Sequence, residues 1–383
     1  MVLTSPQTRW YAGLCLWIAC FVVFLPGSAA HNTSIGPHQV LLLDGKPFTC
    51  IMLYHQQSIA DLETFKKLGM NTVDYAFPRD ARTMSSTAKD FFAACAARNL
   101  HVMADYSELV RARQWENLSA IVKEVMVHPM LLLHYVIDEP EYYGLTEDEV
   151  NKALDIVKRT DPHHVTYVVH DRWNGVDAYA HTHPDIWGVD YYPIRWNGVP
   201  PNAFYDYDKD TQGHPTATTL ERLRTVFARY DALTEAPIWC ILQCHNIPGD
   251  DYYGANRRYP TPAELKGMLY LALNSGADAV QFYNWLSYGN YLALDQNNPA
   301  ANALKDALPK LLAEYGEIHP YYQQARVDLS KPPLSMVRLT GQAKWRIVAV
   351  NYSGQDTLLV DIPGTGKRTL MPMEVFIGGT HIQ

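Results

Sequence analysis

Two adjacent carboxylates, Asp138 and Glu139, follow an apolar run at residues 130–133 and directly precede Pro140. The run predicts a buried strand, and a proline cannot donate a hydrogen bond to a sheet, so the two acids lie where the strand ends. In a parallel α/β barrel, the carboxyl ends of the strands form the active-site face. We therefore expect Glu139 to be catalytic, with capping of the next helix or pairing with an arginine as the alternative.

Polar or aromatic side chains also come at the ends of the other predicted strands. They are Tyr54, Asp74, Asp105, His170, Asp190, Tyr192, Gln243, Tyr283 and Trp285. Carboxylates with aromatic residues, without a metal-ligand spacing, a nucleophile elbow or a phosphate-binding glycine loop, are typical of a carbohydrate cleft. Aromatic faces cover the C–H side of a sugar ring while polar groups bind its hydroxyls. We expect substrate-binding roles for these residues and no cofactor or metal.

The elements that must position these residues alternate between short apolar runs and longer amphipathic segments. Strands are predicted at residues 48–54, 72–77, 101–106, 130–137, 165–170, 186–192, 238–244 and 280–285. Helices are predicted at residues 59–68, 86–98, 115–127, 147–159, 220–233, 262–274 and 302–315. Eight strand and helix units of this kind predict an α/β fold, a (β/α)8 TIM barrel spanning about residues 40–325.

The pattern changes after Pro332 and Pro333, where residues 345–350 and 357–362 are apolar strand candidates separated by glycine-containing turns. No helical periodicity is present there. The stretch 334–383 therefore predicts a small antiparallel β domain, similar to a sandwich, after the barrel.

The first 30 residues have the pattern of a secretory signal peptide. Arg9 precedes an apolar run at residues 11–25, and Ser28-Ala29-Ala30 supplies the small residues of a cleavage site. The run is short for a membrane span, so we expect cleavage after Ala30, secretion and no stable membrane insertion.

Cysteine spacing and charge limit the other possibilities. Cys50, Cys95, Cys240 and Cys244 remain after signal removal, and their spacing favours buried free thiols. The formal net charge of −8 is spread along the chain without a basic stripe, which argues against nucleic acid as a partner. Glycosylation sequons begin at Asn32, Asn117 and Asn351, and are usable where the secretory route supplies the machinery.

The chain resembles the retaining (β/α)8 glycoside hydrolase superfamily, whose fourth strand ends in Asn-Glu with the glutamate as acid/base. The matching pieces are the Asp138-Glu139-Pro140 triplet, the opening LDGKPF at residues 43–48, the GVDYYP stretch at residues 188–193 and the C-terminal β domain. The resemblance covers nearly all of the mature chain. It implies a carbohydrate substrate and Glu139 as the general acid.

One residue departs from that family pattern. These enzymes carry a nucleophilic glutamate at the end of strand seven, where this chain has Gln243. An amide cannot form the glycosyl ester, so three explanations stay open. The protein inverts, with Asp190 or Asp74 as base; or it uses substrate assistance, with Asp138 steadying an acetamido group; or it binds glycans without cleaving them.

Strand alternation ranks these acids. If Glu139 points into the barrel mouth, Asp138 points toward the helices and serves to position or cap. Asp190 then has the better claim as base, since it shares a strand face with Gly188, where a bound sugar favours a small residue. A barrel lyase or aldolase is the lesser alternative, because no lysine lies at a predicted strand end.

Overall fold

The computed structural model describes residues 30–55, 58–170, 175–194, 220, 223–248, 257–341, 344–353 and 356–379. Residues 1–29 of the predicted signal peptide lie outside these residues, as do Asp171, Arg172 and Trp173 beyond the fifth predicted strand. The strands before the C-terminal region are β1 (Thr33–Ile35), β2 (Leu41–Leu43), β3 (Lys46–Pro47), β4 (Thr72–Ala76), β5 (His101–Asp105), β6 (Leu131–Asp138), β7 (Val165–His170), β8 (Ile186–Tyr191), β9 (Ile238–Gln243) and β10 (Ala279–Tyr283).

The helices lie between these strands along the chain. They are α1 (Leu62–Leu68), α2 (Ser86–Ala96), α3 (Ser107–Arg111), α4 (Trp115–Val125), α5 (Glu147–Thr160), α6 (Leu223–Leu233), α7 (Pro262–Ser275) and α8 (Pro299–Tyr322). The sequence pattern missed only the short α3 among the helices described. At α7 a capping box is present, with Thr261 accepting from the Glu264 N–H and Pro262 in the first turn.

Strands β4 to β10 form one curled parallel sheet whose spatial order follows the chain order. Each neighbouring pair is parallel, which requires a crossover connection between successive strands. The predicted parallel α/β arrangement is therefore confirmed. Its core has two layers, an inner one enclosed by the sheet and an outer one between the sheet and the helices.

The first predicted strand, residues 48–54, is irregular. It makes isolated parallel bridges to both edges of the sheet, Met52 to Thr72 on β4 and Leu53 to Phe282 on β10. The Tyr54 N–H donates to the Phe282 carbonyl at 2.9 Å, and the Phe282 N–H donates to the Met52 carbonyl at 3.0 Å. The segment thus lies between the two edge strands and hydrogen bonds to each.

A small antiparallel sheet, β1-β2-β3, covers the amino-terminal end of the parallel strands. Leu41 of β2 packs into the inner layer, and the Thr33 hydroxyl accepts from the Val165 N–H at 2.9 Å. Asp44 and Gly45 both have positive φ, 51° and 74°, as the tight β2–β3 turn requires. Side chains of this small sheet therefore cover the amino-terminal end of the parallel sheet.

The C-terminal region contains only strands among its described residues. They are β11 (Ala325–Asp328), β12 (Leu334–Thr340), β13 (Trp345–Asn351), β14 (Leu358–Ile362), β15 (Gly366–Leu370) and β16 (Val375–Gly378). Strands β11-β12-β13-β16 form one antiparallel sheet and β14-β15 a hairpin, with β11 preceding the predicted start at residue 334. Val337, Leu339, Val348 and Val350 belong to the same apolar cluster as residues of α7, so this sheet packs on the barrel.

Burial bears on two further expectations. The four cysteines are free and buried, as predicted. The Asn351 side chain is fully buried and donates to three backbone carbonyls, so this sequon is closed to glycosylation in the folded protein, contrary to the sequence expectation. Among the described residues, no helix combines the length and the apolarity that crossing a bilayer requires.

Candidate active site

Strand β6 contains a β-bulge that decides which way its acids point. Tyr135 pairs with Tyr167 and Ile137 pairs with Val168, so Val136 is an extra residue without a partner on β7. Val136 and Ile137 both belong to the outer apolar layer. The extra residue shifts the alternation by one and turns Asp138 inward. Our expectation that Asp138 faces the helices is therefore wrong, because it assumed an unbroken period of two.

Asp138 is held from three sides at the carboxyl ends of the parallel strands, which we call the mouth. The Tyr135 hydroxyl donates to Oδ1, Arg111 Nη2 lies 3.3 Å from Oδ2 and 2.9 Å from the backbone carbonyl, and the Asp138 N–H donates to Ser107 Oγ at 3.0 Å. A hydroxyl donor and a guanidinium both stabilise the ionised form of a carboxyl. The Asp138 side chain is thus fixed in place and partly exposed.

Asp190, near the end of β8, faces the same interior. Tyr192 donates to its Oδ2 at 2.8 Å, while Oδ1 is buried and has no partner among the described residues. Burial and then the negative charge of Asp138 raise the pKa of Asp190 well above its ordinary value. A raised pKa favours the protonated form, so this environment suits an acid better than the base that we expected from the sequence.

Gly188, two residues before Asp190, shares its inward face, as predicted. A Cβ at this position would lie 2.5 Å from the Tyr167 hydroxyl and 2.6 Å from Val169 Cγ2. Packing of the tyrosine ring, rather than room for a sugar, explains why this position has no side chain.

Glu139 leaves the strand with a left-handed backbone, φ 47°, while its N–H still donates to the Val169 carbonyl at 2.9 Å. After burial, which is the larger cause, charges that include Glu139 raise the pKa of Tyr192 at one side of the mouth and of Tyr288 at another. Asp138 contributes at Tyr288 as well. The carboxyl groups of Asp138 and Glu139 therefore both lie near the tyrosines of the mouth. A strand with regular alternation would point them in opposite directions.

A wall of four tyrosines, Tyr192, Tyr283, Tyr288 and Tyr291, lines the mouth. The rings of Tyr192 and Tyr283 stack with centroids 5.6 Å apart, and those of Tyr288 and Tyr291 with centroids 4.8 Å apart. The hydroxyls of Tyr283 and Tyr288 hydrogen bond to each other. Tyr192 and Tyr283 were predicted, whereas Tyr288 and Tyr291 were missed, although the tyrosine spacing in the loop after β10 is a usable signal.

Two predicted ligand-binding residues point away from the mouth. Trp285 is 7% exposed, packs on Phe65 of α1 and donates from Nε1 to Asp61 at 3.2 Å. His170 is buried against the outer-layer ring of Trp187, with Nδ1 3.0 Å from Glu141 Oε2. Both side chains therefore point away from the ligand site that we expected. His170 falls on the outer side of the alternation of β7, whereas Trp285 lies beyond the end of β10 and turns outward although it has the parity of the inward Tyr283.

Gln243 points inward at the end of β9, but the backbone uses its whole amide. Oε1 accepts from the Ile194 N–H at 2.9 Å, and Nε2 donates to the carbonyls of Ile194 and Arg258 at 2.9 and 2.8 Å. The side chain is fully buried. Gln243 therefore braces the loops after β8 and β9, and the ligand-binding role expected from the sequence does not fit this arrangement.

The remaining predicted residues form a buried floor under the mouth. The Tyr54 hydroxyl donates to Gln281 Oε1 at 2.7 Å, and Asp74 Oδ2 accepts from the His55 N–H at 3.2 Å. Asp105 Oδ1 accepts from the Ser107 N–H and hydroxyl at 2.8 and 2.5 Å. Burial raises the pKa of Asp105 to about 6, against the lowering effect of Ser107. Since Ser107 also accepts from the Asp138 N–H, this floor supports the catalytic candidates.

One buried group has the composition of a metal site. His134, Asp161 and His164 have potential ligand atoms within 4.8 Å of one another. Asp161 Oδ2 lies 2.8 Å from His134 Nε2 and 2.7 Å from His164 Nδ1, and the Tyr106 hydroxyl lies 2.9 Å from His134 Nδ1. These distances describe a hydrogen-bonded chain, in which each histidine already donates to the aspartate. It lies on the outer side of β6 and does not reach the mouth.

No protein-family model matches the chain, and no curated protein matches it in sequence. Solved structures match it in fold. One, described as a glycoside hydrolase, is 12% identical, with a TM-score of 0.58 and coverage of 92% of this chain and 93% of that one. A family 5 glycoside hydrolase from Bacteroides vulgatus ATCC 8482 is 12% identical, with a TM-score of 0.59 and coverage of 86% and 82%.

A family 39 glycoside hydrolase from Bacteroides cellulosilyticus WH2 is 10% identical, with a TM-score of 0.57 and coverage of 88% and 83%. Each match spans most of both chains at low identity. The chain therefore has a fold found in glycoside hydrolases, in agreement with the resemblance seen in the sequence.

Proposed function

We propose that the protein is a glycoside hydrolase that cleaves O-glycosidic bonds of an oligo- or polysaccharide. The observation that carries the proposal is a pair of carboxyl groups in unlike environments at one mouth. Asp138 is partly exposed and forms an ion pair with Arg111, whereas Asp190 is buried and has a raised pKa. Glycoside cleavage needs one carboxylic acid and one carboxylate, and unequal environments are how proteins supply both.

The same proposal includes a closed (β/α)8 barrel. Residues 51–54 bridge β4 and β10 and take the place of the eighth strand. Their pairing is too irregular for a continuous strand. The support is the set of backbone hydrogen bonds from this segment to both edges. Closure gathers the strand ends into a single mouth, as the reaction requires.

In the reaction, Asp190 donates its proton to the glycosidic oxygen as the bond between that oxygen and the anomeric carbon breaks. Asp138 either attacks the anomeric carbon or removes a proton from the attacking water. The first route retains the anomeric configuration and the second inverts it. In the inverting route, Asp190 then takes a proton from bulk water. In the retaining route, Asp190 takes a proton from the water that attacks the anomeric carbon and releases Asp138 from the glycosyl ester.

Glu139 remains the second candidate for the acid, as the family resemblance implies. A general acid is needed most when the leaving group is a poor one, so an activated aryl glycoside separates the roles. The acid variant, Asp190→Asn or Glu139→Gln, loses hydrolysis of natural glycosides and keeps cleavage of aryl glycosides with acidic phenols. If both variants behave like the wild type on natural glycosides, neither residue is the acid.

Glycan binding without cleavage is the second candidate function. The observation in its favour is Gln243, whose amide stands where related enzymes carry a nucleophile and is bound to the backbone. Screening the purified protein on aryl glycosides and polysaccharides, with the product anomer read by NMR, tests both functions. Binding without any product supports the glycan-binding protein. Retention confined to N-acetyl sugars supports the substrate-assisted route.

We also infer that the protein is secreted and that the segment ending at Ala30 is removed. The support is the signal pattern at residues 1–30. Amino-terminal sequencing of protein from the culture medium tests this, with His31 expected as the first residue. An intact Met1 on membrane-bound protein contradicts it.

A further inference from the structure

Three polar atoms near Tyr192 are buried without a hydrogen-bond partner in the described part of the chain. They are Asp190 Oδ1, His245 Nε2 and Arg257 Nε. Buried polar groups in folded proteins are nearly always paired, and exceptions need an explanation. Three such atoms around one ring, at the mouth of a barrel, suit a polar ligand that supplies the missing partners.

The protonation of His245 specifies what it can bind. Its ring is fully buried, and Nδ1 lies 3.1 Å from the Tyr283 carbonyl oxygen. A carbonyl only accepts, so Nδ1 carries the hydrogen. Burial and then the charge of Arg257 lower the pKa of His245 to about 3, so the ring is neutral and Nε2 is an acceptor. The matching ligand group is a hydroxyl.

Arg257 specifies a negative charge. Its guanidinium carbon lies 5.1 Å from the centroid of the Tyr192 ring. Against the larger effect of burial, its charge acts on Asp190 and lowers the pKa of that carboxyl, but Arg257 forms no direct ion pair with a carboxylate of the described residues. By contrast, Arg111 pairs with Asp138 and Arg258 pairs with Glu264. A guanidinium presents parallel N–H donors that fit the two oxygens of a carboxylate.

We propose that this side of the mouth is a subsite for a hexuronic acid residue, with the sugar carboxylate on Arg257 and a neighbouring hydroxyl on His245 Nε2. Tyr192 and Tyr283 cover the apolar face of the ring. The subsite adjoins the reaction centre, because the Tyr192 hydroxyl donates to Asp190 at 2.8 Å. This inference rests on the proposed function and narrows its substrate to acidic glycans.

Binding is the test, because it does not depend on turnover. Isothermal titration compares glucuronate and galacturonate with glucose and galactose on the wild-type chain, Arg257→Gln and Arg257→Lys. We expect at least one uronate to bind the wild type tenfold or more tightly than its neutral counterpart. Arg257→Gln loses that preference and leaves the weak binding of the neutral sugar unchanged. Arg257→Lys keeps the positive charge but lacks the parallel N–H donors of a guanidinium, so we expect an intermediate preference for the uronate.

Arg346→Gln is the matched control. Arg346 also lies over a tyrosine, 5.4 Å from the Tyr321 ring centroid, but in the C-terminal sheet. The Arg346→Gln variant should bind each sugar as the wild type does. Thermal unfolding checks that every variant is folded. Equal affinity of the wild type for uronates and neutral sugars, a preference for glucose 6-sulfate over glucuronate, or a uronate preference that survives in folded Arg257→Gln overturns the subsite.

Failure of this inference differs from failure of the proposed function. A chain that hydrolyses neutral glycosides through Asp138 and shows no uronate preference refutes only the subsite. A chain that prefers uronates and hydrolyses no glycoside keeps the subsite and loses the enzyme.

Discussion

Asp190 is buried beside the charged carboxylate of Asp138, and desolvation first and that charge second raise the pKa of Asp190. The two residues are on β6 and β8, with β7 between them in the sheet. Arg111 forms an ion pair with Asp138, whereas Asp190 is buried with a raised pKa, so the two carboxyl groups lie in unequal environments. This asymmetry is what separates an acid from a nucleophile or base in glycoside cleavage.

The first prediction concerns the pH profile. If Asp190 is the acid, kcat/KM for a natural glycoside falls as the pH rises through the pKa of Asp190, because the acid must hold its proton. Asp190→Asn lowers that rate by about 10²–10⁴-fold and removes the alkaline limb that Asp190 causes. Rates measured across pH on natural and aryl glycosides check this. An unchanged profile in Asp190→Asn assigns the acid to another group.

The second prediction concerns Asp138. Asp138→Asn should lower turnover on all glycosides by at least about a thousandfold, since it removes the nucleophile or base. It should also lower the pKa of Asp190, because a nearby negative charge disappears. Carboxyl NMR titration of labelled aspartate measures the second effect. Asp155→Asn, an exposed change on α5, is the control and should alter neither quantity. An Asp190 titration that stays in place means that the two carboxyls do not interact.

The third prediction separates the tyrosine wall from Trp285. Tyr288 is 45% exposed, so Tyr288→Ala should weaken sugar binding and leave the free energy of unfolding nearly unchanged. Trp285 is packed against Phe65, so Trp285→Ala should lower the free energy of unfolding by about 3–5 kcal/mol. Denaturant unfolding and sugar titration on both variants test the contrast. If Trp285→Ala is as stable as the wild type but no longer binds sugar, Trp285 contacts the ligand and the prediction is wrong.

The fourth prediction concerns Gln243→Glu. The amide Nε2 donates to the carbonyls of Ile194 and Arg258, and a carboxylate offers no hydrogen there. We expect a loss of about 1–3 kcal/mol for each buried carbonyl left unpaired, and no retaining activity. Gln243→Met, of similar volume, is the control, because it removes the amide oxygen and the amide nitrogen without adding a charge. A stable Gln243→Glu with gained activity would mean that the residue faces the substrate.

The fifth prediction concerns acid stability. Burial lowers the pKa of His134, so the unfolded chain binds a proton on this residue more readily than the folded chain does. The free energy of unfolding should therefore fall as the pH drops below about 6.5, the ordinary histidine pKa. Unfolding midpoints measured from pH 8 to 5 check this. His134→Gln should make that slope smaller without removing it, because burial also lowers the pKa of His55, His101, His128, His245 and His319. A wild-type slope in this variant means that His134 does not contribute.

Much of the secondary structure follows from the sequence because local patterns carry it. Strand β7 (Val165–His170) has the predicted bounds, and α5 ends one residue beyond the predicted bound, at Thr160. Apolar residues at periods of two or 3.6 and capping residues such as Thr261 are local signals, which tertiary packing here reinforces. The carboxylates and tyrosines at the strand ends were also visible in the sequence.

Side-chain direction at the site was decided by the tertiary structure. The bulge at Val136 leaves no compositional mark, yet one extra residue reverses every inside and outside assignment after it on β6. The same limit applies to Gln243, because its partners Ile194 and Arg258 are 49 and 15 residues away in the chain. The sequence by itself determined that strands with acids and tyrosines at their ends would gather at one face, since hydrophobic periodicity is local. Which acid is ionised, which is protonated and which aromatic rings face the mouth depend on contacts between distant strands, and only the tertiary structure decides those.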